Sequence, residues 1–418
     1  MNTRSHASLP ADNSAILYLS LMRKVHTNSY RFTMTMDEQV CPETLQLAVE
    51  HIYRRFPTVI AGFRPGFFRY MQVPAENPPS VQPDPGMLHT MTAQEIRECP
   101  FRVIYDGCDI SIEAFHALTD GYGAICCLTT LVAEYLRLRY GAEIPVAAPL
   151  ADIGQESLPE ETEDSYQLYK QDPPVHLPSR YAYQLPGPKP SRTGIRTGTY
   201  TVDTHVILQA ARNMGVSVTA LIGTALALSV MEIQQRHTGK RSAPARIMVP
   251  IDLRRQFPSK TLRNFILYAL PTLEPEDAGK PFGTLAKSFT EQMKQQSSPE
   301  LLASIMAYNA KTQENPLFRA VPLCIKSFLF RTIYRYFGES NSSITMTNLG
   351  NVTLPEAMQQ YVKDVRVYLT PRTRSPHNCS IIAYGSKLHI IISRYSAQPE
   401  LETVFIRNME KILRGEEK

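Results

Sequence analysis

Apolar and polar positions recur with two different periods along this chain, and the switches between them mark its elements. Residues 30–36 alternate as a strand does. Over 42–56, Leu45, Val49, Ile52 and Phe56 return every three or four residues, the spacing of one helix face. Pro42 suits the first turn of that helix, and Pro57 ends it because its ring cannot continue the hydrogen-bond ladder. Residues 63–73 predict a second strand region, broken at Pro65-Gly66, and the proline-rich 74–85 a loop. Residues 101–105 and 108–116 flank Asp106-Gly107, a dipeptide favoured in two-residue hairpin turns whose central residues both take positive φ. In the second strand of this hairpin Ile110, Ile112, Ala114 and His116 share one face by period two, while Asp109, Ser111 and Glu113 take the other. From Tyr122, the series Ile125, Leu128, Val132, Tyr135 and Leu136 marks a helix face running to about residue 140.

Residues 145–195 change character. An acidic stretch at 156–164 is followed by Pro173, Pro174, Pro178, Pro186, Pro188 and Pro190, which predict an extended linker. Tyr166, Tyr169, Tyr181 and Tyr183 within it predict that it lies against the rest of the protein. Beyond it, strands are expected at 199–203, 246–253, 265–273, 343–348, 364–369, 379–384 and 388–393. Helices are expected at 205–214, closed by Gly215, and at 218–236, 282–297, 300–309 and 400–413. Neither half alternates strictly as β-α-β, so the fold class is α+β with mixed sheets, of two-layer sandwich type. The expected organisation is an N-terminal domain over 1–150, a linker or crossover over 151–195 and a C-terminal domain over 196–418.

Composition narrows the function classes. With 43% apolar and 20% charged residues in 418, the chain is ordinary globular material. Its formal charge of +5 is small for that length and gives no case for nucleic-acid binding, which wants a concentrated basic face. Seven scattered cysteines, with no C-x-x-C pair and no His/Cys cluster at ligand spacing, predict reduced thiols and no metal site. The polar leader 1–13 has no apolar core, so a cytoplasmic protein is expected. The apolar run 214–231 is interrupted by Gly215, Ser217, Thr219, Gly223, Thr224 and Ser229 and reads as a buried helix. Lys326, Arg331 and Arg335 interleave with Phe328, Phe330, Ile333, Tyr334 and Phe337, a basic amphipathic pattern found at lipid surfaces. The favoured reading there is a core-packing helix with snorkelling cations.

The chemistry concentrates in residues 113–121, Glu-Ala-Phe-His-Ala-Leu-Thr-Asp-Gly. Of ten histidines, His116 alone has an aspartate four residues on, followed by glycine. A histidine on an inward face stays neutral near pH 7 and can accept a proton from a hydroxyl, amine or thiol, provided its other ring nitrogen is held. Asp120 can order the turn, or serve only as the N-cap of the following helix. Gly121 is expected to let the backbone turn sharply. A core histidine with no chemical role is the competing reading of His116. There is no G-x-S-x-G, Walker loop, G-x-G-x-x-G or H-E-x-x-H to compete with this stretch.

His-x-x-x-Asp-Gly on a strand-to-helix turn resembles the chloramphenicol acetyltransferase-like superfamily of CoA-dependent acyltransferases. Further segments resemble that group in its order: Arg55-Phe56-Pro57, residues 215–221, residues 249–254, Arg263-Asn264-Phe265 and Thr347-Asn348-Leu349-Gly350. Within it the chain looks most like bacterial alcohol acetyltransferases, relatives of polyketide-associated acyltransferases and peptide-synthetase condensation domains. Phe115 stands where condensation domains usually carry a second histidine, and the D-F-G-W-G segment of plant acyltransferases is absent, the chain having no Trp.

The resemblance implies two similar domains with an active-site tunnel between them. It implies His116 as general base and Asp120 as a catalytic-motif aspartate paired with an arginine, for which Arg254 and Arg263 are both candidates. Asn264, Thr347 and Asn348 are candidate tunnel-lining residues; the last two either help to hold an oxyanion or, the favoured reading, form a buried turn. The implied reaction moves an acyl group from acyl-CoA to an alcohol with no covalent acyl-enzyme and no permanently bound cofactor. A donor carried on the pantetheine arm of an acyl carrier protein is the alternative, and a non-catalytic tunnel-binding protein a third. A monomer is expected, with membrane contact a side possibility. Arg236, Lys240, Arg241, Arg246, Arg254 and Arg255 form a cationic stretch that either meets CoA phosphates or is a solvated face.

Overall fold

The computed structural model describes residues 8–416 apart from 24–25, 87, 89, 177–179, 189–193, 241, 335–337 and 374, so Pro178, Pro190, Arg241, Arg335 and Phe337 lie outside the described residues. The first half begins with β1 (Leu9–Pro10) and α1 (Asn13–Leu21), whose N-cap Asp12 accepts from the Ala15 amide. Strand β2 (Ser29–Met36), helix α2 (Pro42–Ile52), the hairpin β3 (Ala61–Pro65) and β4 (Tyr70–Pro74), β5 (Val81–Pro83) and α3 (Ala93–Glu98) follow. The hairpin β6 (Phe101–Asp106) and β7 (Asp109–Phe115) leads into α4 (Gly121–Tyr140). Two short helices, α5 (Pro159–Thr162) and α6 (Tyr166–Tyr169), lie in the linker.

The second half runs β8 (Arg196–Asp203), α7 (Thr204–Met214), α8 (Val218–Thr238), β9 (Ala245–Asp252), β10 (Ile266–Ala269) and β11 (Thr272–Leu273). Helices α9 (Phe282–Gln296), α10 (Pro299–Glu314), α11 (Pro316–Arg319) and α12 (Leu323–Ile333) come next. The chain closes with β12 (Ile344–Asn351), α13 (Glu356–Gln359), β13 (Val362–Leu369), β14 (His377–Tyr384), β15 (Lys387–Arg394) and α14 (Glu400–Leu413).

Most expected elements are present, and the departures have local causes. The loop over 74–85 contains β5, which pairs parallel to β6 with Val81 opposite Val103. Helix α3 escaped the periodicity because it is short. Its capping box is nevertheless written in the sequence: the Thr92 hydroxyl accepts from the Glu95 amide, and the Glu95 carboxylate from the Thr92 amide. The hairpin turn sits one residue later than expected. Asp106 is still paired, opposite Asp109, and Gly107 alone takes a positive φ, +54°. Glycine in the first turn position and an ordinary residue in the second is the II′ pattern.

Among the described residues the strands form three sheets. One has the order β13-β2-β7-β6-β5, another β10-β9-β12-β14-β15-β8 with β11 on β9, and a small one β1-β4-β3. The two larger sheets are mixed: β12 runs parallel to β9 and β14, and β5 parallel to β6. Strand β13 comes from the C-terminal half yet pairs antiparallel with β2, Val367 opposite Phe32. It crosses the division drawn at 195/196 and places Val362, Val365 and Val367 in the N-terminal core. The chain then returns to the other sheet through β14.

Both faces of β7 are covered. Glu113, on its polar face, is fully buried and receives Arg31 at 2.6 Å and Arg102 at 3.3 Å, while Arg31 also holds Asp84 at 2.7 Å. The linker is pinned as well as extended. Arg55 makes a bidentate pair with Glu161, and the Tyr166 hydroxyl reaches Ser14 and the main chain of Ile266. Tyr181 is the exception and stays exposed. Helix α8 is long and apolar enough to cross a membrane, but it is mostly buried and its apolar residues pack in the C-terminal core.

Two buried histidines contribute to the acid response. Burial pushes His26 and His377 from 6.5 down to about 4. The folded chain keeps these rings neutral while the unfolded chain takes up protons, so their contribution is complete above 6.5 and is lost as pH falls toward 4. Each contributes about 3 kcal/mol across that window. Asp12, pushed up to about 6 by burial, binds its proton first in the folded chain and offsets one of them. Urea unfolding midpoints should therefore fall on acidification through this window, with a shallower decline in His377→Gln. An unchanged slope in that variant would mean that the ring charges freely inside the fold.

Candidate active site

His116 lies one residue beyond the end of β7, where the chain leaves the sheet for α4. The connecting loop is tied on every side. The His116 amide donates to the Asn28 carbonyl at 2.8 Å, and the Tyr30 hydroxyl donates to the Thr119 carbonyl at 3.1 Å. The Thr119 hydroxyl donates to the Leu262 carbonyl at 2.5 Å. Asn264 donates from Nδ2 to the His116 carbonyl at 3.0 Å. A strand of the first half and residues 261–265 of the second therefore clamp the same five residues.

Asp120 combines two of its expected roles. Its Oδ1 caps α4 by accepting from the Tyr122 and Gly123 amides at 3.1 and 3.3 Å. Its Oδ2 accepts from the Phe265 amide and from Arg254 Nη1, both at 2.8 Å. Arg254 is thus the partner. Its other N–H groups donate to the Thr261 and Arg263 carbonyls and to Asp252, and its guanidinium lies 4.7 Å over the Tyr122 ring. Arg263 is turned away, paired with Asp12 at 3.4 Å and donating to the Pro10 carbonyl. No hydrogen bond joins Asp120 to His116; the carboxylate caps α4, holds Arg254 and shares the cavity lining with His116.

Gly121 is present for a different reason from the one expected. Its φ is not positive; it is the first residue of α4, and a Cβ there would lie 2.6 Å from Leu349 Cδ2. Gly123 is tighter, since a Cβ would meet the Thr119 hydroxyl at 2.1 Å and the Leu262 carbonyl at 2.5 Å. The absent side chain at 123 lets residues 261–265 close against the helix start.

The His116 ring stacks on Tyr18 at 4.6 Å and meets the edge of Tyr30 at 5.0 Å. Nδ1 is buried and, like Asn264 Oδ1, has no hydrogen-bond partner among the described residues. His116 lines the cavity. Burial lowers the ring's pKa from its ordinary value, against the opposing influence of its own carbonyl and the Asp120 charge, so it is neutral near pH 7.

The cavity holds about 400 Å³ and is walled by Phe32, Ile125, Leu349, Val367 and Leu369, with Arg254, Arg255 and Asp252 among its polar lining. Thr347 and Asn348 line it as expected. The Asn348 side chain is engaged elsewhere, donating to Thr219 at 2.9 Å and accepting from the Gly350 amide at 2.9 Å. Asn264 does not line the cavity; it is buried behind the histidine loop. Of the described residues of the cationic stretch, Arg254 and Arg255 reach the cavity. Arg236 pairs with Glu232, and Arg246 is buried against Asn341 and the Arg180 carbonyl. Tyr18, Asn28 and Tyr30 were not singled out from sequence, and nothing in their spacing marks them. Among the described residues no three His, Cys, Asp or Glu side chains are grouped to hold a metal. Burial pushes the Cys126 thiol up to about 12, away from a reactive thiolate.

No protein-family model matches this chain, and no curated protein matches it. Solved structures do. Polyketide synthase associated protein 5 from Mycobacterium tuberculosis is similar over 98% of both chains at 13% identity, with a TM-score of 0.62. The condensation domain of the Monacolin K polyketide synthase is similar over 98% of this chain and 97% of that one, at 12% identity and a TM-score of 0.58. The chain has the condensation-domain, chloramphenicol acetyltransferase-like fold. A wax ester synthase/diacylglycerol acyltransferase from Marinobacter aquaeolei VT8 shares that fold over 97% of this chain and 99% of its own, at 12% identity and a TM-score of 0.56. An epimerization domain of tyrocidine synthetase B shares it too, at 12% identity and a TM-score of 0.57. Architecture alone therefore does not choose the reaction.

The loop geometry can be tested by stability. Gly123→Ala drives a methyl into a main-chain carbonyl that cannot move aside and should cost about 2–3 kcal/mol in urea unfolding, whereas Gly121→Ala displaces only a leucine tip and should cost less than about 1.5. Arg254→Met should cost about 3–5 kcal/mol by leaving Asp120 buried and unpaired. Adding Asp120→Asn to Arg254→Met should recover part of that loss. A strictly additive double variant would show that the two side chains are not coupled.

Proposed function

We propose that this protein is an acyltransferase that moves an acetyl or other short to medium acyl group from acyl-CoA to an alcohol. The observation that supports the reading is His116 itself: a ring kept neutral by burial, on the wall of a partly apolar cavity. Nε2 takes the proton from the acceptor hydroxyl as that oxygen attacks the thioester carbonyl. The tetrahedral intermediate then expels the thiolate, which receives the proton back from the imidazolium. The Thr347 hydroxyl is the side chain on the cavity wall suited to donate to the oxyanion. No acyl-enzyme is required, in keeping with the raised Cys126 thiol.

A carrier-protein donor is the second reading. It is favoured by the polyketide and peptide synthetase domains among the similar structures, and by the polar lining of the cavity, where Arg254 is already committed to Asp120 and Asp252. Arg255 is left there to meet a single phosphodiester. Single-turnover transfer from acyl-CoA and from acylated carrier protein, measured side by side, separates the two donors.

His116→Ala should lower kcat/KM for acyl-CoA with an alcohol panel by about 10²–10⁴. Activity within a few-fold of the parent would remove His116 from the role of base. The pH profile of kcat/KM should rise with pH along a limb whose midpoint lies below the ordinary imidazole value of 6.5, then stay level through neutrality. A midpoint above 6.5 would contradict a ring kept neutral by burial.

A further inference from the structure

Helix α12 is built inside out. Lys326 is buried, with Nζ donating to the Phe68 carbonyl at 3.0 Å and the Arg319 carbonyl at 3.2 Å and lying over the Phe318 ring. Along the same helix Ile325, Phe328, Leu329 and Ile333 are exposed, Phe328 with 67% of its surface. The core-packing helix with snorkelling cations expected from sequence is therefore reversed. The tip of the β3–β4 hairpin continues the same surface. The Leu323 amide donates to the Phe67 carbonyl, and Phe67 is 71% exposed with Phe68 beside it. Leu317, on α11, is 82% exposed.

An apolar surface of this size on a globular protein marks a partner, and the surrounding charge identifies which. Residues 61–75 and 315–338, which carry this surface, contain Arg64, Arg69, Arg319, Lys326, Arg331 and Arg335 and no Asp or Glu. Arg335 lies outside the described residues; Arg64, Arg69, Arg319 and Arg331 are exposed. Glu76, paired with Arg64, and Glu314 stand at the edges, and large apolar side chains flanked mainly by cations suit a layer that is apolar inside and anionic at its surface. The surface does not stand apart from the candidate active site. Arg331 donates to the Ser20 carbonyl at the end of α1, and Tyr18 of α1 stacks on His116.

We propose that α12 and the β3–β4 tip dock the protein onto an anionic membrane surface, with Phe67 and Phe328 entering the acyl boundary and the arginines meeting lipid headgroups. The docking does not require acyl transfer, so its failure and the failure of the proposed reaction are read separately.

The test is co-sedimentation of the full chain with phosphatidylcholine vesicles, with and without about one third phosphatidylserine. The anionic vesicles should bind roughly tenfold more protein at low salt, and the difference should shrink as salt rises. Phe67→Ser with Phe328→Ser should abolish binding, and Arg69→Glu should weaken it several-fold, with thermal unfolding unchanged in each. Absence of binding to either vesicle would overturn the proposal, as would equal binding to both or binding indifferent to Phe67→Ser with Phe328→Ser. Concentration-dependent dimers in light scattering that Phe328→Ser dissolves would assign the surface to a second copy of the chain instead.

Discussion

With 2% of its side chain exposed, Asp120 must find all its donors inside the protein. Two are amides at the start of its own helix, which any N-cap would use. The other two, the Phe265 amide and the Arg254 guanidinium, come from the opposite half of the chain. The carboxylate is therefore satisfied only when residues 254–265 have closed on the histidine loop. A buried pair of this kind adds little net stability, because desolvation consumes most of the attraction, but removing either partner is costly. Its effect is to permit one arrangement of the two halves at the place where His116 has to sit.

The geometry of His116 follows from that closure. Once residues 261–265 are against the loop, Asn264 reaches the His116 and Ala117 carbonyls. Tyr18 and Tyr30 bound the ring from two other elements. Gly123 is a steric condition for the same approach, because any side chain there would hold the Leu262 carbonyl away. Strand β13 works at longer range, tying the C-terminal half into the sheet that carries β7. The cavity between the halves is thus framed by the β13 exchange and the Asp120–Arg254 pair, and the proposed proton acceptor stands on its wall.

Helix α12 shows how far a pattern can mislead about direction. Its sequence has the alternation of an amphipathic helix, and helical periodicity is present in the structure. Which face turns inward was decided by two carbonyls, from Phe68 and Arg319, that draw the Lys326 ammonium inside. A cation satisfied by main-chain oxygens can be buried without a carboxylate, and the apolar face is then left outside.

The sequence by itself determined the local elements, because apolar period, proline and capping residues act over a few positions. It determined that His116 ends a strand and that Asp120 precedes a helix, and the ordered motifs pointed to the fold. It missed β5, whose three residues are a strand only because β6 lies beside them, and it misread the reason for Gly121. The tertiary structure alone decided that Arg254 and not Arg263 meets Asp120, that Asn264 stands behind the histidine rather than in the cavity, and that β13 crosses between sheets. Each of those depends on which distant segment supplies a donor or a strand edge, and spacing along a chain carries no record of that. Hydrogen bonds and burial are settled between neighbours in space, after the local elements have formed.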